Sequence, residues 1–215
     1  FIISTFIRVL QIFREITLIL FIAIIVLMTV CAAGPPVIDL SESVYKVGSA
    51  NQSERKKIGN LRIINKADDG KSDFGFLSNT IMQIKPATPT SVTIEQDLKL
   101  FFENTVSVDK TASQDLTVTI SKADSYYVVG GVSQIPFIGF ALVGIDREFG
   151  INLRILFEIE KKGKVTAQYL FDEKITIQGK TATQGAIIQS YQMLIAEYRT
   201  RFFGEIETRF FDRYF

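Results

Sequence analysis

Apolar and polar side chains alternate most cleanly in the second half of the chain. Ile151, Leu153, Ile155, Phe157 and Ile159 are separated by Asn152, Arg154, Leu156 and Glu158. A two-residue period is that of a strand with one buried face. After Lys161-Lys162-Gly163-Lys164, the residues Val165, Ala167, Tyr169 and Phe171 share one face, which Ile175 and Ile177 continue. This predicts an antiparallel β-hairpin with one wet face. Glu173 falls on the inward row, so a bulge near Asp172-Glu173 is expected to relieve it. Upstream, Leu116, Val118 and Ile120 alternate with Thr117, Thr119 and Ser121, predicting another half-buried strand.

Two stretches switch to a helical period. Ile94, Leu98, Phe101 and Phe102 form one stripe, with Thr93 and Gln96 as a capping box, predicting a helix over 93–105. Ile187, Tyr191, Leu194 and Tyr198 form a second stripe in a helix over 181–201, with Thr181 and Gln184 as its capping box. Gly204 is expected to break that helix, leaving an amphipathic tail over 205–215. Earlier, residues 56–65 read as a first strand, 66–72 as a charged turn, and 80–85 as a short strand stopped by Pro86 and Pro89. The order β-β-α-β-(insert)-β-β-α predicts an α+β two-layer sandwich. Its sheet is expected to be mainly antiparallel, with both helices on one face. The expected domain covers 57–204, behind a linker over 32–56 that contains Pro35-Pro36 and a polar run.

The N-terminal region is not patterned like a domain. No charge occurs from Ile16 through Ile38, and Arg8 and Arg14 lie upstream. A positive flank, an apolar run and the small residues Ala32, Ala33 and Gly34 have the layout of a secretory signal. The run is also long enough to span a bilayer. Residues 1–31 therefore read as a signal peptide or a membrane anchor helix. The chain begins with Phe1 rather than Met, which reads as a truncated or mis-assigned start. By the positive-inside rule the arginines stay in the cytoplasm and the domain lies outside it.

Residues 126–145 carry no charge and hold Gly130, Gly131, Pro136, Gly139 and Gly144. Three readings stand: a second membrane span, a buried strand, and an exposed apolar loop. The glycines and Pro136 argue against a spanning helix. On the loop reading, Ile135, Phe137, Ile138, Phe140 and Leu142 are candidate contacts for a lipid or protein partner.

Composition removes several chemistries. Lys+Arg is 24 and Asp+Glu is 23, so no overall basic charge points to nucleic acid. There is no histidine, and Cys31 is the single cysteine. A Ser-His-Asp triad, a zinc site and an internal disulfide are thereby excluded. No P-loop or GxGxxG occurs. The acids Asp68, Asp69 and Asp73 read as a solvated turn rather than a calcium loop. No catalytic residue, metal ligand or cofactor is expected, and the chain is read as non-enzymatic.

Cys31 follows Leu27-Met28-Thr29-Val30. This resembles the acylation motif of bacterial lipoproteins, in which an apolar residue and two small ones precede the modified Cys. Val30 departs from that pattern, because the position before Cys is normally Gly, Ala or Ser. The leader, the Pro-bounded strand, the helix and then Asp115-Leu116-Thr117-Val118-Thr119-Ile120 resemble small envelope lipoproteins of the YajG and ABC-transport-auxiliary type. The likeness covers roughly residues 25–200 and is one of pattern. It implies a non-catalytic accessory role in lipid transport or envelope assembly, on the periplasmic face of the bacterial envelope. An acylated Cys31 implies the outer membrane. The alternative is a periplasmic subunit of a membrane complex, held by a retained single-pass helix. Either way the expected partners are the membrane and an envelope protein or lipid.

Overall fold

The computed structural model describes residues 55–68, 79–130 and 145–215. Cys31, the apolar leader and residues 131–144 of the insert lie outside them. The described residues form seven strands: β1 (Lys56–Ile58), β2 (Leu61–Asn65), β3 (Thr80–Gln83), β4 (Val106–Val108), β5 (Asp115–Val129), β6 (Arg147–Lys161) and β7 (Lys164–Gly179). The helices are α1 (Thr90–Thr105) and α2 (Gln184–Glu205). A π-helical segment, Ile206–Phe211, and a final turn, Asp212–Tyr214, continue from α2. The chain is α+β.

The hairpin forms as the alternation predicts. Strands β6 and β7 pair antiparallel from Arg147↔Gly179 to Lys161↔Lys164. Lys162 and Gly163 both have positive φ, 53° and 72°. Positive φ at both central residues is what a type I′ turn requires, and its twist matches the strands. Phe149, Ile151, Leu153, Ile155, Phe157 and Ile159 are all buried.

The main sheet is mixed: three of its pairings are antiparallel, as expected of most of it, and one is parallel. Its order is β2-β5-β6-β7, with β3 also pairing with β5. Strand β2 runs parallel to β5, from Leu61↔Leu116 to Asn65↔Ile120. Strand β3 runs antiparallel to β5 further along, from Thr80↔Val129 to Gln83↔Tyr126. A parallel neighbour needs a long crossover, and α1 lies between β2 and β5 in the chain. Alternation in a strand carries no direction, so periodicity could not reveal this. A separate two-stranded parallel pair joins β1 to β4. The expected first strand over 56–65 is thus two strands, divided at Gly59-Asn60.

Both helices cover the same face. Leu116, Val118 and Ile120 of β5 stand opposite Ile159, Phe157 and Ile155 of β6. These side chains form one core with Ile94, Leu98, Phe101 and Phe102 of α1 and Tyr191, Leu194, Tyr198 and Phe202 of α2. Rings join the layers, with Phe157 and Phe210 4.9 Å apart and Phe171 and Phe202 4.9 Å apart.

Several local expectations are corrected. Helix α1 starts at Thr90 behind Pro89, with no side-chain cap, so the Thr93–Gln96 capping box is not used. Helix α2 is capped by Thr183, whose hydroxyl accepts from the Ala186 N–H at 3.1 Å, rather than by Thr181. No bulge forms at Asp172-Glu173; the hairpin's irregularity lies at Ile159/Glu160. Glu173 stays on the inner row, where Arg201 of α2 donates to it at 3.3 Å. Gly204 does not end the second helix. Ile206, Phe210 and Phe211 are buried. Apolar positions four and five apart face one way when the helical turn widens, which accounts for the π segment.

Candidate functional site

Strand β5 is longer than the alternation showed, because a bulge reverses it. Pairing with β6 slips between Ile120 and Lys122. Before the slip, Leu116, Val118 and Ile120 face the helices; after it, Ala123, Ser125 and Tyr127 stand opposite Leu153, Ile151 and Phe149. Residues 126–129 therefore belong to β5 and not to the insert. Lys122, Asp124 and Tyr126 are turned to the outer face.

That outer face carries a polar groove of about 390 Å³, lined by Ile81, Gln83, Lys122, Asp124, Tyr126, Asn152 and Lys174. The Asp124 side chain is only 8% exposed. It accepts from Asn152 Nδ2 at 2.8 Å, and Lys122 Nζ lies 3.9 Å from its other oxygen. Tyr126 lies over Gly150, where a Cβ would come within 2.5 Å of Cζ. Its hydroxyl donates to Glu148 at 3.3 Å, and Lys174 donates to the same carboxylate at 2.7 Å. Burial pushes the Tyr126 phenol up, and Lys174 partly opposes this. The Lys174 ammonium is held up by its bonds to Glu148 and Tyr126.

A second cavity, of about 200 Å³, adjoins the groove at Gln83 and Asp124. It is lined by the end of β3 (Ile84, Lys85, Pro86), the start of α1 (Pro89, Thr90, Ser91) and Ala123 and Ser125 of β5. Beneath it, Thr90 Oγ1 lies 2.7 Å from Ser125 Oγ and 2.9 Å from the Tyr191 hydroxyl. Burial pushes the Tyr191 phenol up to about 12. Tyr191 was legible only as part of an apolar stripe, and Thr90 and Ser125 gave no sequence signal at all.

Cys31 and the predicted contacts Ile135, Phe137, Ile138, Phe140 and Leu142 lie outside the described residues. The insert's two ends are described. Tyr127 of β5 is paired with Phe149 of β6, so the chain leaves and re-enters the sheet at neighbouring, hydrogen-bonded strands. The second-span reading falls on residues 131–144, which lie outside the described residues. No helix among the described residues is long and apolar enough to cross a membrane. Nor do any of their Asp and Glu residues cluster as metal ligands.

No family model and no curated protein matches the chain. Solved structures with partial likeness include a Xanthomonas campestris protein of the family DUF330. It is 8% identical, with 74% of this chain and 89% of that one covered, at a TM-score of 0.37. Another is a Helicobacter pylori protein described as a neuraminyllactose-binding hemagglutinin homologue. It is 11% identical, with 80% and 96% covered, at a TM-score of 0.30. Superpositions of that quality neither assign a family nor transfer a function.

Proposed function

We propose that this chain is a membrane-tethered, non-catalytic domain of the bacterial envelope that binds a protein or lipid partner in transport or envelope assembly. The tether is the lipid on Cys31, which becomes the N-terminus once the leader is removed, and the domain faces the periplasm. The observation that carries the binding role is the position of the insert. Its ends leave from paired strands, while the inner face of the sheet is already packed by Phe101 and Leu98 of α1 and Tyr198 and Phe202 of α2. On this reading the apolar side chains of residues 131–144 are offered to that partner. Leaving several such side chains in water costs about 1.5–3 kcal/mol each, which a lipid or protein surface removes.

Val30 favours one second reading, a retained single-pass helix that anchors a subunit of an inner-membrane complex. Intact mass of the full chain purified from membranes separates the two. A diacylglyceryl adduct on Cys31, with the leader removed, supports the lipoprotein. An unmodified Cys31 within an intact leader supports the anchor. A chain recovered from the cytosol overturns both. The insert is tested by Phe137→Ser with Phe140→Ser in the full chain. A retained melting temperature with loss of the envelope partner supports a contact surface. A collapsed melting temperature places those side chains in the core.

A further inference from the structure

The two edges of the main sheet are unequal. On the side of β5 away from β6 lie β2 and β3, of five and four residues. Edges that short offer little backbone for another chain to pair with. The opposite edge is β7, with 16 residues and no proline. Among the described residues its one sheet partner is β6, and no backbone bond joins it to any other segment. Alternate residues of an antiparallel strand turn both backbone groups to the same side. About half of the β7 backbone groups therefore face the open edge, the situation that invites a further strand.

The charges in the middle of β7 are Asp172, Glu173 and Lys174. When one strand pairs antiparallel with its own copy about a two-fold axis, residue i meets residue j and j meets i. An axis at Glu173 sets Asp172 of each copy opposite Lys174 of the other. An axis one residue to either side sets Asp172 against Asp172 or Lys174 against Lys174, and like charges directly opposite repel. The register about Glu173 runs from Ala167 to Gly179, residues equidistant from the axis. It thus begins just past the hairpin's bulge and uses the strand to its end. On the wet face it sets Leu170, 46% exposed, against Thr176. On the inner face it sets half-buried Tyr169 against half-buried Ile177.

Two features bear on that register. Asp172 lies 3.5 Å from Arg154 and Lys174 lies 2.7 Å from Glu148, yet both side chains stay about half exposed, open to a further partner. An inward charge on an edge strand ordinarily discourages pairing, and Glu173 would meet its own copy. Arg201 of α2 already donates to it at 3.3 Å. Two copies bring two arginines to the two carboxylates, so the axis carries no net charge.

We propose that β7 is the surface through which two copies of this chain join their sheets edge to edge, about a two-fold axis at Glu173. The contact depends on neither the tether nor the insert.

The test is the mass of the full chain in a neutral detergent, measured by sedimentation across a dilution series. Two chains per particle, falling to one on dilution, are expected. Asp172→Lys and Lys174→Asp should each weaken the dimer about tenfold or more, because two cross-strand attractions become repulsions. Both variants should keep their melting temperature. An equimolar mixture of the two should dimerise again, since each charge then meets its opposite across the axis. A merely structural effect of either substitution would not be rescued by mixing. Lys164→Glu, outside the paired segment, should leave the dimer unchanged. A native chain that is monomeric throughout the series overturns the proposal. So does a dimer undiminished in both single variants, which places the contact elsewhere, or a mixture that fails to recover it.

Discussion

Asp97 of α1 and Arg199 of α2 form a two-pronged ion pair. Nε donates to Oδ2 at 2.8 Å and Nη2 to Oδ1 at 2.9 Å. The side chains are 4% and 13% exposed. Two helices that share one sheet face must keep a fixed register with each other. This pair sets it where the stripes are otherwise smooth Leu, Ile and Phe. Taking both ions out of water offsets much of their attraction, so the pair gives specificity more than stability. Asp97→Leu alone should cost about 3–5 kcal/mol, because it removes the carboxylate that pairs with the buried Arg199 charge. Asp97→Leu with Arg199→Met should recover most of that loss. Urea denaturation of the four-member cycle measures it, and equal losses in the single and double variants would contradict a coupled pair.

The same carboxyl sets a pH dependence. Burial raises the Asp97 pKa, against the hydrogen bonds and charge of Arg199. A raised acid holds its proton more tightly folded than unfolded. Its contribution to stability is therefore complete below the ordinary value of 3.8 and is lost as pH rises through the folded one. Relative to Asp97→Asn, the native chain should lose stability as pH rises from the acid range. The comparison is between urea midpoints of the two proteins across pH. The opposite slope would mean that Arg199 outweighs burial.

Gly150 is fixed by its neighbour across the sheet. A Cβ there would lie 2.5 Å from Cζ and 2.8 Å from Cε1 of Tyr126. The ring is held by Glu148 and cannot retreat cheaply. Gly150→Ala should destabilise by about 1–3 kcal/mol, the usual cost of overpacking. Adding Gly150→Ala to Tyr126→Ala should cost much less, since the obstructing ring is gone. Thermal melts of both backgrounds decide it, and equal costs in the two would remove Tyr126 as the cause.

The fold was legible where periodicity was unbroken. Phe157 and Glu158 mark the two faces of β6 as alternation requires, one fully buried and the other bonded to Gln168 on the wet side. Phe157→Ala should cost about 3–5 kcal/mol and Glu158→Ala within about 0.5. Similar losses at both would refute the face assignment. Strand β5 was half legible, because the bulge after Ile120 moves the inward row from even to odd positions. Asp97 was invisible inside an apolar stripe, since the partner that permits its burial is Arg199, far along the chain. The cavity beneath Gln83 was hidden for a similar reason. Thr90, Ser125 and Tyr191 are unremarkable singly, and only the crossing of α1, β5 and α2 brings their hydroxyls together.

The C-terminal segment gives the sharpest contrast between pattern and packing. After Gly204 the residues Glu205, Glu207, Arg209 and Asp212 suggest an exposed amphipathic tail. Yet Phe210 is fully buried, with its ring 4.9 Å from Phe157 and 5.9 Å from Tyr169. Phe211 packs 5.6 Å from Phe101 of α1. The segment therefore closes the end of the core between the hairpin and the first helix. Phe210→Ala should cost about 3–5 kcal/mol, like other fully buried aromatic truncations. Arg209→Ala should cost no more than about 0.5 kcal/mol, because its ion pair with Glu205 is an exposed i,i+4 contact. Deleting residues 206–215 should lower the urea midpoint at least as far as Phe210→Ala does. If the deletion leaves that midpoint where it was, the segment is a tail and the core ends at α2.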